Sequence, residues 1–333
     1  MTDAPDQHAE GPLQLVVTSA GSLRNDEVIA VTIDKAINRV PSAQIVIRDG
    51  DMQSGTFPAS DGDAYKPGAA ITLAAGYGNE AETVFEGIVV GQGFSIDADS
   101  LGTLTVECRD KAVAMTVGRN SANYVDKKDS DVAQALIAKA GLRGAVNVTK
   151  TTWKELVQFH CTDWDFMLSR AEAVGFVVIV DAGTVSFAAP DVSSAPVLEV
   201  TFGRNLLDFQ CGLDARDQFA SVCATAWDIA TLDAVSAKAG GAALNAQGNI
   251  SSADLAAVLG IATLKLQTPV PLDAEALKRW ADAQQLKSGL SRLRGSLSFQ
   301  GSTKARVGAQ IRLAGVGKRF AGNLYISAVR HEL

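Results

Sequence analysis

His160 and Cys161 stand side by side, the residue types of a thiolate nucleophile and its base. Nucleophile and base must meet at hydrogen-bond distance, whereas neighbours on an extended strand point to opposite faces, so adjacency works against that chemistry. Asp163 and Asp165, with Glu155 and Glu172 nearby, offer carboxylates for acid–base work. Positions 163 and 165 fall in the first turn of an expected helix, where carboxylates face the positive end of the helix dipole, and that role accounts for them without catalysis. Gly315-Val316-Gly317-Lys318 is like the tail of a phosphate-binding loop. Arg312 stands where that loop needs its earlier glycine, and Arg319 where it needs Ser or Thr. Gly91-x-Gly93 is too small a piece of a dinucleotide fingerprint to count, and no H-E-x-x-H, G-x-S-x-G or Cys/His metal spacing occurs. The expectation is a protein without catalytic residues, cofactor or metal.

Four cysteines, at 108, 161, 211 and 223, are too scattered for a metal knuckle. Cys108 follows Leu104 and Val106 on one face of an alternating strand and reads as a small core residue. The 333 residues are 47% hydrophobic and 20% charged, enough to bury a sizeable core. A net charge of −7 argues against a nucleic-acid surface, the basic group Lys304, Arg306, Arg312, Lys318 and Arg319 reading as a solvated strand face. The polar, acidic start of the chain predicts no signal peptide, and no apolar run is long enough to enter a membrane as a spanning helix.

The elements that would position these residues come in three blocks. Residues 1–12 read as a flexible tail. Residues 13–117 read as a β-barrel, with strands at Leu13–Ser19, Val28–Ile37, Ala43–Ile47 and Leu104–Arg109 separated by Gly/Asp turns. Residues 118–195 change period: a helix over Asp129–Gly141 with Asp129 or Ser130 as N-cap, a second helix over Thr162–Val174 capped by Thr162 and stopped by Gly175, then a strand pair. Residues 196–333 return to strands, the last over Asn323–His331, as a second barrel. An Ala/Gly-rich stretch, 235–262, reads there as a flexible excursion, and 273–290 as a helix capped by Asp273. The fold class expected is mainly β with an α/β insert, two tandem β-barrels flanking a small helical domain.

One pattern occurs twice. Residues 68–74 read Gly-Ala-Ala-Ile-Thr-Leu-Ala and residues 308–314 read Gly-Ala-Gln-Ile-Arg-Leu-Ala. Each is followed by Phe-x-Gly, at Phe85 and Gly87 and at Phe320 and Gly322, the interval being five residues longer in the first. Gly68, Ile71, Leu73, Gly308, Ile311 and Leu313 are therefore expected to hold matching places in the two barrels, with symmetry between them failing first in the longer loop.

The most specific segment is 157–176. Its Gln158, Phe159, Asp163, Phe166, Arg170, Glu172 and Gly175 resemble the pattern Gln-aromatic-x-x-Ser/Thr-Asp-x-x-Phe-hydrophobic-x-Arg-x-x-Glu-x-x-Gly of the hub proteins of contractile injection machines. That family comprises the VgrG proteins of type VI secretion, the late control protein D of contractile phages and the phage baseplate hub. Lys66-Pro67-Gly68 through Ile88, the Trp153 region, Ala226-Trp227-Asp228 and the closing Phe320–His331 follow in the family's order, over roughly residues 13–333.

The resemblance implies a structural, non-enzymatic role. Its form would be a homotrimer whose two tube-like barrels per chain make a pseudo-sixfold ring, a symmetry adaptor between a hexameric tail-tube protein and a trimeric spike protein or fused spike domain, among other baseplate proteins. It also implies a product of the bacterial cytoplasm that joins a phage tail or injection particle, with no specific nucleic-acid binding and no membrane insertion. The motif residues would then be architectural. The alternative expectation is a β-rich binding or adhesion module.

Overall fold

The computed structural model describes residues 2–5, 11–50, 53–78, 81–96, 102–229, 231–260 and 263–333. Mainly β, with four α-helices among the described residues, it has the expected α+β class. The first third gives β1 (Leu13–Ser19), β2 (Ser22–Arg24), β3 (Val28–Ala36), β4 (Ser42–Arg48), β5 (Ala70–Tyr77), β6 (Glu82–Ser95) and β7 (Thr103–Arg109). Alternation puts Ala43, Ile45 and Ile47 of β4 on the face that meets Cys108, Val106 and Leu104 of β7, and all six are buried. Cross-strand packing of this kind, at about 1.5–3 kcal/mol for each large buried side chain, is what holds the sheet.

The middle third gives β8 (Asn120–Lys128), α1 (Asp129–Lys139), β9 (Arg143–Val146), β10 (Thr152–Cys161), α2 (Asp163–Val174), β11 (Val177–Asp181) and β12 (Thr184–Ala188). β8 and β10 form an antiparallel ribbon, while β11, β12 and β9 form a second small sheet. Helices α1 and α2 close a core of Leu136, Ile137, Trp164, Met167, Val178 and Phe187. The last third gives β13 (Leu198–Thr201), β14 (Leu206–Leu213), β15 (Ser221–Asp228), β16 (Asp233–Lys238), α3 (Ser252–Val258), β17 (Thr263–Thr268), α4 (Ala274–Leu290), β18 (Leu293–Phe299), β19 (Gln310–Ala314), β20 (Gly322–Tyr325) and β21 (Ala328–Glu332). Leu277 and Ala281 of α4 pack on Val222, Ala224 and Ala226 of β15.

Closed barrels are not what forms. The first sheet has the open order β2-β1-β5-β6-β7-β4-β3-β21, and no ladder joins β2 to β21 among the described residues. Apart from β21, the last third divides its strands among three sheets, ordered β13-β19-β20, β14-β18 and β16-β15-β17. The strand expected over Asn323–His331 is two strands. β20 pairs with β19, whereas β21 crosses to the first sheet and pairs with β3, Ala328 opposite Ala36 and Glu332 opposite Thr32. The break falls where the Ile37 N–H takes the Ser327 carbonyl, 2.9 Å.

The described part of the excursion, 235–260, contains regular structure that the composition does not imply. β16 takes its first residues and α3 its last turn and a half, with Ser251 and Asp254 bonding each other's backbone N–H. Between them Asn245 and Gln247 are buried, and the buried Arg292 donates to their carbonyls at 3.2 and 3.0 Å. A cation supplies the backbone partners that regular structure would otherwise supply. At the start of the chain Asp3 bridges Leu198, and Ala4 is buried, so this part is docked rather than a free tail. Residues 1 and 6–10 of the expected tail lie outside the described residues.

Candidate functional site

The signature segment folds into a joint between four elements. β10 delivers Gln158 inward, fully buried; a register shift at its end turns the chain, with His160 at φ 44°; Thr162 then caps α2 by accepting from the Asp165 N–H at 3.0 Å. Asp163, in the first turn, collects three donors. Gln158 Nε2 bonds its Oδ1 at 2.8 Å, Asn120 Nδ2 of β8 bonds the same atom at 3.0 Å, and Lys139 Nζ from the end of α1 bonds Oδ2 at 2.9 Å. Burial pushes the Asp163 carboxyl up, but the bonds from Lys139, Gln158 and Asn120 outweigh it and hold the group below its ordinary value. Tyr124 adds a bond to Gln158 at 3.2 Å and stacks on Phe166.

The next turn of α2 makes a second joint. Arg170 Nε donates to Asp129 Oδ1 at 2.6 Å, Trp153 Nε1 donates to Oδ2 at 2.9 Å, and the guanidinium lies over the Trp153 ring. Asp129 is fully buried. It is therefore not the cap of α1, and neither is Ser130. The cap is Lys128, whose N–H bonds the Asp131 carboxylate at 3.0 Å. At the end of α2, Gly175 adopts φ 73°, and a Cβ there would lie 2.7 Å from the Ala283 Cβ of α4. Glu172 reaches the same helix through Lys287, at 2.8 Å between two exposed side chains, a contact worth little energy.

Six of the seven motif residues thus make contacts inside the chain. Phe159 differs from them in exposure, at 81%, on the outer face of the β8–β10 ribbon with Val157 and Val125. The architecture of the joint also answers the chemical readings. A carboxylate fixed by three donors is poorly basic, far from the near-neutral pKa that acid–base work favours. Glu155 accepts from Asn123, Asp165 from Thr162, and half-buried Cys161 packs on the middle core while His160 is exposed. Among the described residues no three His, Cys, Asp or Glu gather as metal ligands, and no helix is long and apolar enough to cross a membrane.

The repeated segments make the same clamp twice. The Gly68 N–H bonds the Val89 carbonyl at 2.8 Å and the Val89 N–H bonds the Ala69 carbonyl at 2.9 Å; Gly308, Ile326 and Ala309 do the same at 2.9 and 2.9 Å. Both glycines have positive φ, 97° and 87°. Ile71, Leu73, Ile311 and Leu313 are buried on matching sides of β5 and β19. The Phe-x-Gly elements do not match in register. Leu73 faces Phe85 and Ile71 faces Gly87, but Leu313 faces Gly322 and Ile311 faces Leu324. Buried Phe85 lies within β6, and half-buried Phe320 in the turn before β20. Measured between clamp residues, Ala69 to Val89 against Ala309 to Ile326, the first hairpin is longer by three residues rather than five. Beyond the hairpin the likeness ends, since β1 runs antiparallel to β5 and β13 parallel to β19.

Two features escape a reading of the sequence. Asn120 and Lys139 complete the first joint, and Asp129 and Trp153 the second, through contacts that no local pattern at those positions signals. A cleft of about 2270 Å³ opens between the first sheet, α2, the β14–β18 ribbon and the chain's last residues.

The fold is that of phage tail proteins. The chain is similar to the 43 kDa tail protein of prophage MuSo2 from Shewanella oneidensis, at 14% identity and a TM-score of 0.72 over 96% of this chain and 94% of that one. A tail protein from Neisseria meningitidis MC58 is similar at 15% identity and 0.69, covering 96% and 92%. The prophage tail protein gp18 from Listeria monocytogenes EGD-e is similar at 10% and 0.56, covering 95% and 90%. No curated protein matches by sequence. The family model described as the Alg8 N-terminal domain matches residues 12–333, and the chain belongs to that family.

Proposed function

We propose that the chain is a structural hub of a contractile injection machine, without catalytic activity, that assembles as a homotrimer and joins a sixfold tail tube to a threefold spike. The observation that carries this reading is the clamped hairpin made twice in one chain, at Gly68–Val89 and Gly308–Ile326. Two like surfaces per chain and three chains give six, the number a hexameric tube ring presents. The whole-length likeness of fold to phage tail proteins supports the setting, a tail or injection particle. Exposed Phe159, Val157 and Val125 are apolar surface that assembly would cover. The motif residues Gln158, Asp163, Phe166, Arg170, Glu172 and Gly175 act here by fixing α2 between α1, β10 and α4, so that the two hairpin units keep one geometry.

Native mass spectrometry and electron microscopy of the purified chain test the reading. The expected species is a trimer whose projection shows six similar outer lobes. A monomer at all accessible concentrations that retains a glycan or a cell-surface ligand would overturn it in favour of an adhesion module.

A further inference from the structure

The cleft has a mixed wall. On one side lie half-buried Phe209, Leu297, Phe299 and Ile326. Around them basic side chains outnumber acidic ones seven to four, in a chain whose net charge is −7. Lys35, Lys287, Lys304 and Arg330 are matched to carboxylates. Arg39 and Arg109 are exposed and appear in no ion pair among the described residues, while exposed Arg294 lies near enough to the Asp214 carboxylate to help lower it. An occupant should therefore carry bulky apolar groups together with carboxylates.

The chain has such a surface elsewhere. At the connected end of the β15–β16 hairpin, Trp227, Ile229 and Leu232 are 49%, 67% and 71% exposed, beside the exposed carboxylate of Asp233. Val270, following β17 at the same end of that sheet, is 53% exposed. A Trp flanked by aliphatics is the composition of an interface anchor, and isolated exposure of this size on a hairpin end has no internal explanation. None of these residues lines the cleft of its own chain.

We propose that the β15–β16 hairpin end of one copy docks in the cleft of the next, with Trp227 and Leu232 against the Phe209–Phe299 wall and Asp233 among Arg39, Arg109 and Arg294. Hairpin and cleft are different surfaces of one molecule, so the contact is head-to-tail, and a head-to-tail contact makes a ring when its rotation closes. The inference rests on the trimeric reading above and names the contact that builds the ring.

Cysteines introduced as Leu232→Cys and Ser298→Cys, the second on the cleft wall, test it with a short bis-maleimide linker on the full chain in which Cys161, Cys211 and Cys223 are replaced by serine, Cys211 lining the same cleft. The expected result is covalent dimer and trimer in the double variant, above the background of either single variant. In parallel, Trp227→Ala with Leu232→Asp should move the trimer–monomer transition to about tenfold higher concentration or beyond, with thermal stability of the monomer unchanged. A trimer that assembles equally well in this variant, with no interchain product from the cysteine pair, overturns the docking while leaving the ring standing. A chain monomeric at every concentration overturns both.

Discussion

Gly175 of α2 and Ala283 of α4 approach so closely that a methyl group on the glycine would meet the alanine Cβ at 2.7 Å. The glycine also sits at φ 73°, where L side chains are strained, so two independent constraints fall on one residue of the signature segment. Gly175→Ala should cost about 2–4 kcal/mol, from left-handed strain and overpacking together. Ala283→Gly on top of it should restore the packing part and leave the strain. Urea midpoints of the two single variants and the double variant give the split, and equal midpoints for Gly175→Ala with and without Ala283→Gly would show that the helices do not meet there.

Asp129 and Arg170 give the second test. The carboxylate is fully buried and accepts from both Arg170 and Trp153. Asp129→Ala leaves a guanidinium largely removed from water without its partner, and should destabilise by about 3–5 kcal/mol. Arg170→Met combined with it removes the stranded charge and should recover a large share, with a coupling of about 1–3 kcal/mol in the double-mutant cycle. A coupling near zero would mean the pair is not formed.

What sequence could and could not reveal divides along physical lines. Helix α2 was legible end to end because its signals are local: Thr162 accepts from a residue three positions on, and Gly175 needs only its own φ. Strands β1, β3, β4 and β7 of the first sheet are legible by alternation. Closure was not, because whether β2 meets β21 depends on a strand from the far end of the chain, and β21 instead fills the edge beside β3. The stretch 235–262 carries no clear period in sequence, and the middle of its described part is held by Arg292, distant in sequence and supplying hydrogen bonds. Its ends are held by burial of Leu255 and Ala256 and by Val235 and Ala237 against β15 and α4. Asp129 misled for the same reason: an acid at a helix start has a local role available, and its true partner lies one helix away.

Acid titration separates Asp163 from the other carboxylates. Its folded value is held below the ordinary 3.8, against burial, by Lys139, Gln158 and Asn120. A depressed folded value means the unfolded chain binds protons first as pH falls. The stabilisation is therefore complete above pH 3.8 and lost as pH drops through the folded value. Unfolding free energies of the natural chain should fall more steeply below that point than those of Asp163→Asn, which is less stable at neutral pH but flatter in acid. Parallel curves would remove Asp163 from the account of acid unfolding.

The two clamps make a matched pair for the last prediction. Gly68 and Gly308 share their backbone bonds and their positive φ, but not their surroundings. Nothing stands near a Cβ at Gly68, whereas one at Gly308 would meet Ile179 Cδ1 at 2.6 Å. Gly68→Ala should cost only the backbone strain, about 1–2 kcal/mol. Gly308→Ala should cost more by the price of moving Ile179, about another 1 kcal/mol, because the tip of a long side chain can yield by changing rotamer. Ile179→Ala should erase that difference and leave the strain, so that Gly308→Ala in its presence costs what Gly68→Ala costs in the natural chain. Chemical denaturation of the five proteins decides it. An unequal cost that survives Ile179→Ala would mean that the two hairpins, alike in their hydrogen bonds, differ in the backbone itself.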